Sequence, residues 1–231
     1  MRKLNREQMK VLATVSMVAD HICKIFFPEN ATANIIRCTF GRFAFVIFLL
    51  LFIEGFFQIK KENYGKHLRD LGLCALASFP GYSYMYTGTW TSMAGLGNVM
   101  TEFLIMFLML VFLQKCDRKT LPGIALGSSV FLLTVELTLF INADYTYAGP
   151  LAAFAIWCIG DKRSYVSECV ICVLAILLKT QFPWELFGAI PLFFYDAERK
   201  PERKRKKAEK YFYYVFYPLH LAVLGLIKYA L

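Results

Sequence analysis

A carboxylate and an imidazole, Asp20 and His21, stand side by side in an otherwise apolar stretch over residues 8–27. A charged side chain at the centre of a bilayer costs roughly 2.5–3.5 kcal/mol on insertion scales. A membrane protein with a purely structural role has little reason to place such residues there, so the pair predicts chemistry inside the membrane. In that chemistry His21 is a candidate catalytic residue, because imidazole is the side chain that most often transfers protons in enzymes.

Other ionisable side chains fall within the apolar segments, and most of them share the outward half. A rise of about 1.5 Å per residue gives their depths. Glu54 is the exception, because it lies in the inner half and is expected to pair there. If the helices turn the outward set toward one another, these side chains line a cavity that opens outward. The outward set comprises Asp20, His21, Arg42, Glu102, Glu136 and Asp144, the last beside Tyr145 in the short connection 142–146.

Each of these residues also has a structural interpretation. Asp20 and Lys24 are four residues apart with the acid first, a spacing that allows an ion pair along one helix. His21 points about 100° around the helix from Asp20, so its partner is expected from another helix. Arg42 lies near the outer surface, where it either forms a structural ion pair with an acidic residue or holds a substrate.

A second histidine lies near the middle of the last apolar segment, in the sequence Tyr217-Pro218-Leu-His220. Tyr217 and His220 are three residues apart and share a helix face. Pro218 has no backbone N–H, and its ring clashes with the carbonyl of Tyr214. A carbonyl released in this way must find another partner inside a bilayer. The aromatic face fits either ordinary helix packing or one wall of a polar cavity.

The composition indicates a helical membrane protein. Of 231 residues, 58% are hydrophobic and 19% are charged, whereas soluble domains contain about 25% charged residues. The apolar residues form long continuous runs bounded by charges or turn residues, as in membrane helices. We see no cluster of metal ligands and predict no metal. Cys169 and Cys172 lie within an apolar run, which favours ordinary small membrane residues over a redox pair.

The fold class that follows is all-α, a polytopic bundle of about nine transmembrane helices in one domain over residues 1–231. Most of the 26 Lys and Arg residues fall on one side if the N-terminus is inside and the C-terminus outside. This predicts a multi-pass membrane protein, surrounded by lipid. The predicted spans are 8–27, 39–59, 67–84, 98–114, 120–141, 147–160, 164–179, 182–196 and 211–230.

A basic run at 197–210 forms the last predicted cytoplasmic loop. It fits a topology anchor against anionic lipid, worth about 1 kcal/mol per cation. It also fits a cradle for the phosphates of coenzyme A, for which we single out Arg203, Lys204 and Arg205. Nucleic acid is not an expected partner, because no aromatic platform accompanies the cations.

Several short motifs together resemble the TraX family. They lie at both ends of the chain and touch its middle, and the Asp-His and Tyr-Pro-x-His elements are specific mainly in combination. The matching elements are Val-Ala-Asp20-His21-Ile, Gly41-Arg42-Phe, Ile-Glu54-Gly55, Asp144-Tyr145 followed by Gly149, and Tyr217-Pro218-Leu-His220.

The resemblance implies N-acetylation of a pilin subunit and similarity to the integral-membrane acyltransferases of bacterial surface sugars. It implies acetyl-coenzyme A as donor and a pilin-like peptide or a glycan as acceptor. His21 is then the catalytic base, with Asp20 and His220 as further catalytic candidates. The candidate substrate-binding residues are Arg42, Glu54, Glu102, Glu136, Asp144, Tyr145 and Tyr217.

Two other classes of function stay open at the level of sequence. Buried carboxylates and histidines also form proton relays in small secondary transporters, although the inverted repeats of many transporters are not evident here. A non-catalytic membrane scaffold for pilus assembly is the third class, and it predicts that His21→Ala is tolerated.

Overall fold

The chain is described from a computed structural model covering residues 4–180, 183–196 and 207–230. These residues form α-helices and short 3₁₀ helices, with no β-strand in the described part beyond an isolated parallel bridge between Leu4 and Tyr195. The predicted all-α class is confirmed. The helices are α1 Arg6–Phe26, α2 Ala31–Cys38, α3 Phe43–Gln58, α4 Tyr64–Thr87, α5 Val99–Leu113, α6 Leu121–Phe140, α7 Ala148–Ile159, α8 Tyr165–Thr180 and α9 Lys207–Ala230.

Two predicted elements differ from the observed ones. Residues 28–38 were expected to be a connection, but they contain α2, whose N-cap Asn30 accepts a hydrogen bond from the Ala33 N–H. The predicted span 182–196 is a 3₁₀ helix over Pro183–Phe194 in place of an α-helix. Its prolines, including Pro191 within the helix, lack the N–H that α-helical hydrogen bonding requires.

Two stretches of the described residues are long and apolar enough to cross a membrane, judged by length and composition. One is Ala31–Gln58, which contains α2, the 3₁₀ turn Phe40–Arg42 and α3. The other is α6, of which little is buried.

The chain divides into two compact units. Unit 1 comprises Met1–Glu54 with Ser164–Lys210, and unit 2 comprises Gly55–Arg163 with Tyr211–Leu231. In unit 1, α1 begins with a capping box. The Asn5 side chain accepts the N–H groups of Glu7 and Gln8, and the Gln8 side chain accepts the Asn5 N–H. The capping box stabilises the first turn of α1. The helix buries Met9, Ala13 and His21 on one side.

Unit 2 is built on α4, which packs against both α5 and α9. On α5, Phe107 lies edge-on to Phe56 and Tyr64, with ring centroids 5.3 and 5.8 Å away. The backbones of α4 and α9 approach each other directly. A Cβ built on Gly81 would lie 3.0 Å from the Ala222 nitrogen, so the two backbones meet there without a side chain between them.

Candidate functional site

Ser16 and Asp20 lie one turn apart on α1. Both contact the 3₁₀ turn Phe40–Arg42, and Ser16 also contacts the start of α3. The Ser16 hydroxyl donates to the carbonyl of Phe40 at 2.6 Å and accepts the N–H of Ala44 at 3.1 Å. Gly41 faces the carboxylate, because a Cβ on this residue would lie only 2.8 Å from Asp20 Oδ1. The Asp-His and Gly-Arg motifs of the sequence therefore pack directly against each other within unit 1.

The Asp20 carboxylate is balanced by a cation from α2. Arg37 Nε lies 3.8 Å from Asp20 Oδ1, and both side chains are about three-quarters buried. His21, the next residue, is 8% exposed. Arg42 ends the 3₁₀ turn, where its carbonyl lies beside Gly188 of the Pro183–Phe194 helix. Unit 1 thus holds a buried imidazole next to an ion-paired carboxylate.

Glu54 belongs to another buried polar group of unit 1. Its Oε2 accepts hydrogen bonds from Tyr195 Oη at 3.0 Å and from Arg6 Nη1 at 3.4 Å. Arg6 also donates to the carbonyl of Leu51 at 2.6 Å, which fixes the guanidinium between α1 and α3. The expectation that Glu54 pairs is therefore confirmed, and its partners account for a carboxylate that is 9% exposed.

In unit 2 the polar residues gather around the connection 142–146. Asn142 and Thr146 have positive φ angles of 51° and 48°, a region that non-glycine residues rarely adopt. Between them, the Asp144 N–H donates to the carbonyl of Gly97 at 3.1 Å. The Tyr145 N–H donates to Glu102 Oε2 at 3.2 Å. A backbone held in two unfavourable conformations thus presents Asp144 in a fixed orientation.

Two tyrosines of α4 meet this connection. Tyr82 Oη donates to Asp144 Oδ1 at 2.8 Å, and the rings of Tyr82 and Tyr86 lie 4.6 Å apart. Tyr217 of α9 is 3% exposed, and its hydroxyl lies close enough to Asp144, Tyr86 and the Val99 backbone to interact with them. The structure therefore brings together three hydroxyls and one carboxylate.

Glu102 contacts the connection 142–146 through Tyr145 and is fully buried in the first turn of α5. Besides the Tyr145 N–H, it lies against Gly149 of α7, where a Cβ would be 2.8 Å from Glu102 Oε1. The N-cap Asn98 closes the same end of α5 by accepting the N–H groups of Met100 and Thr101. The carboxylate is thus held where the positive end of the helix dipole favours negative charge.

His220 lies one turn beyond Tyr217 on α9 and is 8% exposed. Its Nδ1 lies 3.2 Å from the carbonyl of Phe216, and the two rings stack with centroids 5.3 Å apart. The carbonyl of Tyr214, which Pro218 releases, accepts a hydrogen bond from Cys74 Sγ at 3.5 Å. The predicted partner for that carbonyl is therefore present, and it is a thiol of α4.

Glu136 lies apart from this group. It is exposed on α6 among the exposed side chains Leu133 and Leu137. The buried face of α6 contains Thr134 and Thr138, and each is two residues, or about 200°, from Glu136. The orientation of α6 about its axis therefore places Glu136 on the side away from the interior of unit 2.

A family model described as TraX protein matches residues 5–228, nearly the whole chain. The chain belongs to the TraX family. The chain is also similar to the probable fimbrial assembly protein FimC, serogroup H1, of Dichelobacter nodosus. The two are 24% identical over 239 residues, which cover 94% of this chain and 93% of the relative. No solved structure gives a significant match.

Four residues of this TraX chain that the sequence did not single out belong to the observed clusters: Arg37, Tyr82, Tyr86 and Tyr195. Tyr82 and Tyr86 have the one sequence signal that could have identified them, since they follow Pro80 at a four-residue spacing on one helix face. Arg203, Lys204 and Arg205 lie outside the described residues. Within the described part, no group of three or more His, Cys, Asp or Glu residues is arranged to hold a metal ion.

Proposed function

We propose that this TraX protein is a multi-pass acetyltransferase of the bacterial cytoplasmic membrane, with its N-terminus inside and its C-terminus outside. It moves the acetyl group of acetyl-coenzyme A to an amine or hydroxyl of an acceptor on the outward side, a pilin-like peptide or a surface glycan. The observation that supports the proposal most directly is the buried His21 beside the Asp20–Arg37 ion pair in a TraX family member.

In the proposed reaction, the nitrogen or oxygen of the acceptor attacks the thioester carbonyl carbon. The new N–C or O–C bond forms, the C–S bond breaks, and the neutral His21 imidazole takes the acceptor proton and returns it to the departing thiolate. General base catalysis of this kind contributes typically 10²–10⁴-fold. Asp20 is a positioning residue in this scheme, because it is paired with Arg37 and packs against Gly41.

The remaining candidates have roles on the two substrates. Arg42 holds an acceptor carboxylate or stabilises the developing oxyanion, since a fixed guanidinium acts strongly where charge forms. Within unit 2, His220 and Tyr217 are candidates to bind part of a substrate. The group around Asp144, Tyr145 and Glu102 recognises the acceptor. Arg203, Lys204 and Arg205 attract the negatively charged donor from the cytoplasm.

The decisive experiment uses the full chain in liposomes with acetyl-coenzyme A labelled in the acetyl group. Thioester loss and label transfer to an added acceptor peptide are measured for the wild type and for His21→Ala. We expect both to fall by 10²-fold or more in His21→Ala, as removal of a general base predicts. Normal turnover in this variant would exclude His21 as the base.

His67→Ala provides a matched control. It removes the histidine that is not a candidate site residue, which lies on α4 with its ring centroid 6.5 Å from that of Phe107. We expect acetyl transfer by this variant to equal that of the wild type. A similar loss of activity in both variants would point to a general effect of removing a histidine on folding.

A non-catalytic role in pilus assembly is the second candidate, and the similarity to a protein named for fimbrial assembly favours it. The buried clusters of both units are then structural. This candidate predicts no thioester loss with wild-type protein, and normal pilus assembly in cells that express His21→Ala. The two candidates therefore make opposite predictions for thioester loss with the wild-type protein.

A further inference from the structure

A cavity of about 410 Å³ lies in unit 2, between the connection that follows α5 and the end of α7. Small-ligand pockets have volumes of roughly 300–1,000 Å³, so its size suits a ligand. Two buried side chains, Leu113 and Trp157, line its apolar part. Its polar lining consists of Gln114, Cys116, Asp117, Arg118, Lys119 and Asp161.

Arg118 is held in a defined position at this cavity. Its Nη2 lies 2.7 Å from Asp161 Oδ2. Its guanidinium lies over Gly160, where any Cβ would overlap it, and Gly160 has a φ of 61° that also favours glycine. Hydrogen bonding by Arg118 lowers the pKa of the Asp161 carboxyl below its ordinary value, so Asp161 stays ionised at neutral pH and keeps Arg118 in place.

The two connections around the cavity are rich in positive charge. They contain Lys115, Arg118, Lys119, Lys162 and Arg163, against the two carboxylates Asp117 and Asp161. Both connections lie on the side where the distribution of Lys and Arg predicts the cytoplasm. A guanidinium presents its N–H groups as a planar fork that matches two oxygens of a phosphate. The lining itself has two cations, Arg118 and Lys119, and two carboxylates, Asp117 and Asp161. The excess of positive charge comes from Lys115, Lys162 and Arg163 in the surrounding connections, so a phosphorylated ligand that arrives from the predicted cytoplasmic side meets a net positive surface.

We infer that this cavity binds the phosphate-bearing nucleotide end of the acyl donor, with Arg118 as the phosphate-binding residue and Lys119 as a second cation. The inference rests on the proposed function for the identity of the ligand. It differs from the cradle expected at Arg203–Arg205, because it places the donor phosphates between α5 and α7. A phosphate on an anionic lipid headgroup has the same chemistry, and the experiment separates the two sources.

The test measures equilibrium binding of coenzyme A to the full chain in nanodiscs of phosphatidylcholine alone and with phosphatidylglycerol. We expect Arg118→Gln and Lys119→Gln each to raise the dissociation constant about tenfold, as loss of a charge-assisted contact predicts. Arg69→Gln is the charge-matched control. Arg69 is exposed on α4 and pairs with its neighbour Asp70, and we expect that variant to bind as the wild type does.

Equal affinity of the wild type, Arg118→Gln and Lys119→Gln for coenzyme A would overturn the inference. So would loss of coenzyme A binding when phosphatidylglycerol is present, because the lipid headgroup would then be the ligand. Lys119 is exposed, so Lys119→Gln remains informative even where Arg118→Gln fails to fold.

The proposed function can fail separately from the inference. Acetyl-pantetheine has no nucleotide, so its use as donor is expected to be the same in the wild type and in Arg118→Gln. Arg118-dependent binding of coenzyme A without any acetyl transfer would support the cavity and exclude the transferase. Acetyl transfer with binding that is insensitive to residues 118 and 119 would support the transferase and exclude the cavity.

Discussion

Tyr82 donates its hydroxyl hydrogen to Asp144, with 2.8 Å between the two oxygens, which joins the C-terminal part of α4 to the strained connection before α7. The two residues are 62 positions apart in sequence. Asp144 lies between Asn142 and Thr146, whose positive φ angles restrict the backbone on both sides. The hydrogen bond therefore fixes the side chain of a residue whose main chain is already constrained.

We expect Tyr82→Phe to lower the free energy of unfolding by about 1 kcal/mol, because it removes the hydrogen bond that the buried Tyr82 donates to the half-buried Asp144 carboxylate. Denaturant titration of the protein in detergent micelles measures this change. Tyr229→Phe is the control, since Tyr229 is 45% exposed at the end of α9. Equal stability of the wild type and Tyr82→Phe would show that the hydrogen bond contributes nothing net.

Gly41→Ala tests the contact between the two N-terminal motifs. The added Cβ would lie 2.8 Å from Asp20 Oδ1, so the carboxylate must move, and overpacking of this kind costs about 1–3 kcal/mol. We expect a lower melting temperature and, if the proposed function holds, slower acetyl transfer.

Gly72→Ala is the matched substitution for this experiment. Nothing lies within 4 Å of the Cβ position at Gly72, on α4, so replacement there is expected to stabilise the helix by up to about 1 kcal/mol. Equal melting temperatures of the two variants would contradict the close contact at Gly41.

Arg6→Ala tests the buried pair in unit 1. It leaves the Glu54 carboxylate, 9% exposed, with Tyr195 as its donor but without its cation. We expect destabilisation of about 3 kcal/mol, the lower end of the range for breaking a buried ion pair. Adding Glu54→Gln is expected to recover part of that loss, which a double-mutant cycle would measure.

Arg69→Ala serves as the comparison, because the Arg69–Asp70 pair has an arginine that is 64% exposed. Exposed pairs contribute about 0–1 kcal/mol. A loss of stability in Arg69→Ala as large as that in Arg6→Ala would rule out burial as the cause.

Trp90 tests the membrane placement of unit 2. Its ring stacks on Tyr84 at 4.2 Å and is 42% exposed beside Tyr229, where α4 and α9 end. Tryptophan and tyrosine concentrate at membrane interfaces, so we expect Trp90 about 15 Å from the bilayer centre. Fluorescence quenching by lipids brominated at different depths, compared between the wild type and Trp90→Phe, measures that depth. Quenching of Trp90 by aqueous acrylamide but by none of the lipids would contradict this placement.

The sequence predicts the helices well because long apolar runs between charges leave few alternatives. It does not predict α2, since eight residues capped by Asn30 look like a connection between two spans. The span over 182–196 has enough apolar residues for a helix, but its prolines favour the 3₁₀ geometry observed. Hydrophobicity thus predicts where the helical segments lie more reliably than it predicts their hydrogen bonding.

The candidate residues were predicted from residue type, and their partners were not. Glu102, Asp144, Tyr145 and Tyr217 do gather in unit 2. The partner Tyr82 lies on a helix that the sequence predicts. The four-residue spacing of Tyr82 and Tyr86 after Pro80 places them on one face, but it does not say which residues that face contacts. Glu136 shows the converse, since a carboxylate in an apolar helix looks buried until the rotation of α6 is known.

The close approach of α4 and α9 has a consequence for how the protein is made. Gly81 meets the Ala222 nitrogen, and Gly225 meets Met85, so each helix fits the other at two successive points. The ribosome synthesises α9 after α4. Until α9 is present, the side of α4 that contains Gly81 and Met85 lacks the helix that packs against it. A frameshift or stop codon just before α9 therefore yields a product in which this side of α4 is uncovered. We expect cellular proteases to degrade that product.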